Sequence, residues 1–272
     1  MTNKNTGEVR PFLKWVGGKQ QAMPHISSLY PGKYNRYFEP FVGGGAVFFN
    51  LNPQEAHLSD INEELIDCYV VVRDQVEELI LVLEKHKYEK DYYYALRSKD
   101  PQKMSQIDRV ARMIYLNKTG FNGLYRVNKS GKFNVPFGQY KKPVFCNKPV
   151  LRACSKRLCG VDINNASFES ILDRAVAGDF VYFDPPYIPV SSTSYFTAYQ
   201  KDGFGMKSQE RLLEVFDALS EKGIKVMLSN SDVAWMRDKY SKYNIKSIKI
   251  NRHINATAAN RGPVGELLIT NY

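Results

Sequence analysis

Phe180-Val181-Tyr182-Phe183-Asp184-Pro185-Pro186-Tyr187 is an apolar run of four that ends in an acid, two prolines and an aromatic. The run reads as a buried strand. The acid, prolines and tyrosine at its end make a rigid polar ledge beside a flat hydrophobic surface, a place to hold an aromatic amine. The acid can accept a proton or hydrogen bond from the amine, and proline keeps its backbone carbonyl as a second acceptor. Tyrosine can stack on the ring. A strand that merely ends in a proline turn has the same appearance, so what the rest of the chain brings to this ledge decides between the two.

Working outward, the flanking segments alternate between strand and helix patterns. Tyr37-Phe38-Glu39 is a short strand, Pro40-Phe41-Val42-Gly43-Gly44-Gly45 a loop, and Ala46 to Asn50 opens a helix. Ala56 to Ser59 is the next strand, ending at Asp60. Residues 148–158 and Gln209 to Ser220 are helical, while Ile224 to Leu228, Ile245 to Ile250 and Leu267 to Thr270 are strands. Such alternation implies an α/β fold with a mostly parallel sheet. Residues 62 to about 117 break the pattern. Leu65, Ile66, Tyr69, Val72, Val76, Leu79, Ile80 and Leu83 recur at three- and four-residue spacing, the core face of a small helical subdomain. Residues 121–140 read as a β-hairpin, out along Leu124 to Val127, around Asn128-Lys129-Ser130-Gly131, and back along Lys132 to Val135. The simplest organisation is one α/β domain of residues 1–61 and 146–272, interrupted by a helical and hairpin insert over 62–145.

Gly43-Gly44-Gly45, between a strand and a helix, lets backbone pass close to a ligand. The dinucleotide pattern GxGxxG is not met. Asp60 ends the following strand, on the order of 20 residues past the loop, where an acid can bind ribose hydroxyls. A nucleoside without a pyrophosphate fits better than NAD, and S-adenosylmethionine meets that description. Phe41, Gly43, Gly45 and Asp60 are its candidate contacts. For the glycines taken alone, a tight turn is the alternative. Phe12-Leu13-Lys14-Trp15-Val16-Gly17-Gly18-Lys19 is a second glycine-containing segment. Its lysine lacks P-loop spacing, which argues against ATP. Trp15 and Lys19 could instead frame a ligand carboxylate, such as the methionine end of the donor, with core packing the alternative for Trp15.

The 272 residues are enough to bury a sizeable core. The net charge of +10 suits a polyanionic partner, most simply nucleic acid, although an inert basic surface carries the same charge. No apolar stretch approaches the roughly 20 residues of a membrane span. The opening MTNKNTGEVR is too polar for a secretory signal and reads as a loose arm. An intracellular protein without a membrane partner is expected. Cys68, Cys146, Cys154 and Cys159 form no CxxC pair and no histidine lies at ligand spacing from them, so free thiols are expected and no metal is assigned.

FLKWVGGK, EPFVGGG, LSDIN, LNKTGFNGLYR, FNVPFGQYKKP, DPPY, FTAY, LSNSD and VGELL follow one another along the chain. In that order they resemble the Dam-type DNA adenine-N6 methyltransferases, and the resemblance runs from Pro11 to the last residue. It implies a class I S-adenosylmethionine-dependent methyltransferase core with an inserted helical and β-hairpin target-recognition subdomain. It places Trp15, Lys19, Asp60 and Asp184 at the donor site, with Phe168 near the donor adenine. Phe121 matches an aromatic that enters the base stack beside an extruded adenine, with Asn122 next to it. Leu124, Arg126 and Pro136 match base-reading positions, Lys14 matches a contact at the edge of the site, and Asn134 on the returning strand joins the DNA-binding candidates. The implied target is GATC in double-stranded DNA, and the implied setting is the nucleoid of a bacterial or phage-infected cell, with the protein a cytoplasmic monomer. The family more often has tyrosine where Phe121 stands, and residues Arg252 to Gly262, where phosphate contacts are expected, are less typical.

The resemblance completes the chemistry of the ledge. Asp184 and the Pro185 carbonyl would each accept one amino hydrogen, and Tyr187 would stack on the adenine. Residues 191–199 would form a lid. An RNA methyltransferase would more often carry Asn at position 184 and would not need the hairpin, whereas a cytosine-N4 enzyme would favour Ser there. A catalytically silent DNA-binding regulator is the alternative from another class.

Overall fold

The structure, a computed structural model, describes residues 9–128, 130–189, 204–251 and 263–272. The expected lid over 191–199 and the segment Arg252 to Gly262 lie outside the described residues, as does most of the N-terminal arm. The chain divides into two compact units. One takes in the chain up to Gly18, Gly43–Asn52 and Asn62–Asn165, and the other Lys19–Val42, Pro53–Ile61 and Ala166–Tyr272.

The second unit carries the strands that position the ledge. They are β1 (Tyr37–Glu39), β2 (Ala56–Asp60), β4 (Phe180–Phe183), β5 (Lys225–Ser231), β6 (Asn244–Asn251) and β7 (Pro263–Thr270). Across the sheet they follow the order β2-β1-β4-β5-β7-β6. β1 runs parallel to β2 and β4, and β4 runs parallel to β5, with Phe183 opposite Leu228. β7 is antiparallel to both of its neighbours. The sheet is mostly parallel, as expected, with parallel strands around the ledge and antiparallel ones beyond β5. All four residues of β4 are buried, as a strand covered on both faces requires. The helix Met206–Glu221 crosses from β4 to β5 and buries Leu212, Val215, Phe216 and Leu219 at helical spacing. These join Phe38, Val181, Phe183, Val226 and Leu228 in one core.

The first unit holds the helices Ala46–Leu51, Glu63–Asp74, Val76–Leu83, Lys90–Ser98, Gln106–Thr119 and Lys148–Leu158, together with β3 (Asp162–Asn165). Local signals start several of them. The Asn62 side chain accepts from Leu65 N–H ahead of Glu63 and Glu64, and the Ser105 and Asn147 side chains cap the helices that follow them. β3 was not expected from sequence, because Asp162-Ile163-Asn164-Asn165 has a single apolar residue. Arg112 is buried inside Gln106–Thr119, where its guanidinium donates to the Leu96 and Arg97 carbonyls at 3.1 and 2.8 Å. It thereby satisfies the open end of Lys90–Ser98.

The expected hairpin is corrected in one respect. Its two arms do run antiparallel, but among the described residues they meet in isolated bridges, Gly120 with Phe137 and Val127 with Phe133. Phe121–Gly123 is a 3-10 turn instead, with Asn122 and Gly123 in the left-handed region at φ 54° and 63°. Pro136, on the return arm, has no N–H to give a ladder. The return turn is tied by the Asn128 side chain, which accepts from Ser130 N–H and Lys132 N–H at 3.0 and 2.9 Å.

Candidate active site and nucleic-acid interface

In the second unit three acids stand at the carboxyl ends of neighbouring parallel strands. Glu39 ends β1, Asp60 ends β2, and Asp184 follows β4 directly. Ligands of open α/β sheets bind outside this edge. Asp184 Oδ2 lies 2.9 Å from Lys19 Nζ, and Lys19 is itself only 5 % exposed. The carboxylate that Lys19 meets is thus that of Asp184. Burial pushes the Asp184 carboxyl up from its ordinary range, while the Lys19 ammonium pulls it down; burial outweighs it. The Lys19 ammonium also sits over the Tyr187 ring, 4.8 Å from its centroid. The Tyr187 hydroxyl donates to Glu266 on β7. Burial, with Asp184 and Glu266 nearby, drives that hydroxyl well above its usual pKa, so it remains a donor.

Phe41 and Phe168, picked separately from sequence, stack on each other at 5.3 Å and 23°, with Phe204 edge-on to Phe41. A flat aromatic pair and a half-buried acid, Asp60, are the groups that the purine and ribose of an S-adenosyl donor call for. Glu39, at 2 % exposure, accepts from the Tyr37 hydroxyl at 2.8 Å.

In the first unit Trp15 stacks on Tyr125 at 5.2 Å and packs on the glycine loop. A Cβ on Gly43 would lie 2.9 Å from the indole, and one on Gly45 would lie 2.5 Å from the Tyr69 hydroxyl. The Tyr69 hydroxyl donates to the Gly43 carbonyl at 2.9 Å. The glycines therefore admit protein side chains as closely as sequence expected them to admit a ligand.

Lys14 and the turn Phe121–Gly123 are brought together by Asn117, which is fully buried. Asn117 accepts from Lys14 N–H at 2.8 Å and donates to the carbonyls of Lys14 and Gly123 at 2.8 and 3.1 Å. The Lys14 ammonium lies over the Tyr140 ring. Phe121 is 50 % exposed. Asn122, Arg126 and Pro136 are exposed as well, while Leu124 and Asn134 are half-buried. Arg126 donates through Nε to Asn134 Oδ1 at 2.7 Å and through one terminal nitrogen to the Asn134 carbonyl at 3.2 Å.

Asn117, Glu266, Gln209 and Asn230 were not singled out from sequence. Each is a buried polar residue here, and its immediate sequence neighbours carry no mark that sets it apart from an exposed one. Among the described residues, no helix is long and apolar enough to cross a membrane.

Residues 15–254 match the family model described as D12 class N6 adenine-specific DNA methyltransferase. The chain is similar to a type II methyltransferase, M1.LlaDCHI, of Lactococcus lactis subsp. cremoris, at 46% identity covering 100% of this chain and 99% of the relative. It is 43% identical to the type II methyltransferase M.MjaIII of Methanocaldococcus jannaschii, over 97% of this chain and 100% of that one. It is 36% identical to the DNA adenine methylase of Escherichia coli K12, over 95% of this chain and 94% of the relative.

Proposed function

The chain belongs to the D12 class of N6 adenine-specific DNA methyltransferases, and from that premise we propose that it methylates adenine within GATC, using Asp184, Pro185 and Tyr187 at the end of β4. It is an adenine-specific DNA methyltransferase with an α/β core of the class I type, and its donor is S-adenosylmethionine. The observation that carries the residue assignment is the Asp184 carboxylate, which follows a fully buried parallel strand and is held by Lys19 at 2.9 Å.

The exocyclic amine of adenine is a weak nucleophile, because its lone pair is delocalised into the ring. Asp184 and the Pro185 carbonyl accept hydrogen bonds from its two N–H groups, which draws the nitrogen toward tetrahedral geometry and turns its lone pair out of the ring plane; once the methyl group has moved from sulfur to nitrogen, the nitrogen loses its excess proton. Bound S-adenosylmethionine supplies the methyl group and a sulfonium leaving group. Asp60 holds the donor ribose, and Phe41 and Phe168 offer their faces to its purine. Trp15, Gly43 and Gly45 shape the glycine loop beside which the donor is expected to lie. Catalysis then comes from orientation and fixed electrostatics.

A base within a duplex cannot reach this ledge and must be turned out, at a cost of a few kcal/mol. The Tyr187 ring recovers part of that cost by stacking, and the exposed Phe121 fills the gap left behind. Arg126 reads guanine, with Leu124 and Pro136 against neighbouring base edges, Lys14 at the rim, and Asn122 and Asn134 supporting the turn. Target reading is thus assigned to residues 62–145 and chemistry to 1–61 and 146–272, in a monomer. The type II names of two relatives support a role beside a restriction endonuclease of the same sequence.

The test is transfer of labelled methyl groups to duplexes with and without GATC. Asp184→Ala is expected to abolish transfer and retain duplex binding. Turnover by that variant sinks the assignment of Asp184, and equal labelling of the two duplexes sinks GATC.

A further inference from the structure

Two buried amides behind the ledge have no part in the chemistry above. Gln209, in the helix Met206–Glu221, is 2 % exposed, and Asn230, on β5, is 0 % exposed. Asn230 Oδ1 accepts from the backbone N–H of Ile188 at 3.1 Å and of Ser231 at 2.8 Å. Both of those neighbours are donors, so the side-chain oxygen must face them. Asn230 Nδ2 consequently faces Gln209 and donates to its Oε1 at 3.2 Å. This leaves Gln209 Nε2 to donate to the Pro186 carbonyl, at 2.9 Å. Each amide's orientation is fixed by its neighbours, and neither can flip without placing donor against donor.

The relay begins at the N–H on one side of Tyr187 and ends at the carbonyl on the other. It therefore holds both peptide groups that carry the Tyr187 ring. It also occupies the Pro186 carbonyl, the nearest competitor of the Pro185 carbonyl for an amine hydrogen. Among the described residues no protein donor meets the Pro185 carbonyl. We propose that Gln209 and Asn230 are positioning residues for methyl transfer, a buried amide relay that aims the Pro185 carbonyl and the Tyr187 ring. The inference rests on the reading of Asp184 and Pro185 as acceptors for the amine.

The experiment is single-turnover transfer to a GATC duplex at saturating DNA and donor, expressed per molecule able to bind donor. Gln209→Leu keeps most of the side-chain volume and removes the relay's donor. Its rate is expected to fall roughly 10- to 100-fold, the scale of a misplaced reacting group, with duplex and donor affinities unchanged. Gln209→Leu combined with Asn230→Ala is expected to be no slower than the slower single variant, since either break interrupts the same relay. Gln209→Glu restores the donor to Pro186 only when protonated, so its deficit relative to the unaltered protein should shrink as pH falls. A purely structural role would not produce that pH dependence. A rate per competent molecule equal to that of the unaltered protein, additive losses in the double variant, or a Gln209→Glu deficit independent of pH each overturn the relay. If Asn230→Ala does not fold, Gln209→Leu and Gln209→Glu decide the question. Asp184→Ala, run alongside, separates the two levels. Turnover in that variant defeats the acceptor reading itself, whereas a dead Asp184→Ala beside a fully active Gln209→Leu leaves that reading standing and removes the relay alone.

Discussion

At Asp184 two physical effects oppose each other, and their balance sets a pH dependence. Burial raises the carboxyl and Lys19 lowers it, with burial the larger. A carboxyl raised by folding binds its proton more tightly in the folded state than in the unfolded one. It therefore adds stability at low pH, and that contribution is lost as pH rises through the folded value. Activity runs the other way, because the accepting form is the carboxylate. Transfer is expected to fall as pH drops through a titration lying above the ordinary aspartate range. Lys19→Met removes the cation at 2.9 Å and should move that acid limb further up. Single-turnover pH profiles of the two proteins check this, and a limb that does not move after Lys19→Met means that another group is titrating.

Two elements make separable predictions. Gly45 opens the helix Ala46–Leu51 at φ 69°, and a Cβ there would stand 2.5 Å from the Tyr69 hydroxyl. Gly45→Ala is expected to cost about 1–2 kcal/mol from the left-handed backbone alone, plus the loss of the Tyr69 bond to Gly43, measurable by urea unfolding. In the hairpin, Asn134 takes the Nε side of Arg126, which holds the guanidinium in place. Asn134→Ala should blur GATC preference while total duplex affinity changes little; Arg126→Ala should blur it further, toward the 1–3 kcal/mol of a bidentate guanine contact. Competition between matched and single-substituted duplexes reads both, and unchanged selectivity in Arg126→Ala removes Arg126 as the reader. These elements also mark how far sequence could be read. β4, β5 and the helix between them were legible because apolar runs and helical spacing record burial directly. The ledge was legible because acid, prolines and tyrosine are contiguous. The 3-10 turn at Phe121–Gly123 was not, since it depends on left-handed backbone at Asn122, a residue that also forms ordinary strands and turns. Nor was the pairing of Lys19 with Asp184, which joins positions that only the fold brings together. Asn117, Gln209 and Asn230 escaped notice because an amide among polar neighbours reads as exposed and does not reveal which groups it will satisfy once buried.

For the molecule as a whole, a net charge of +10 predicts that duplex affinity falls steeply between about 50 and 200 mM salt, with a log–log slope near −0.9 per phosphate neutralised. Asp184→Ala should keep that slope, because the carboxylate is assigned to the target amine and not to a phosphate; titrations at several salt concentrations check it. The sheet has one further consequence. β7 follows β6 in sequence, yet it lies between β5 and β6. It brings Glu266, the acceptor for Tyr187. On the ribosome, β4, the ledge and β5 are all made while the slot beside β5 still stands empty. A nascent chain can therefore carry every residue assigned to the chemistry and still lack the strand that closes the sheet behind Tyr187. Competence should arrive late and in one step, as β7 emerges, and chains stalled before Pro263 should transfer no methyl groups.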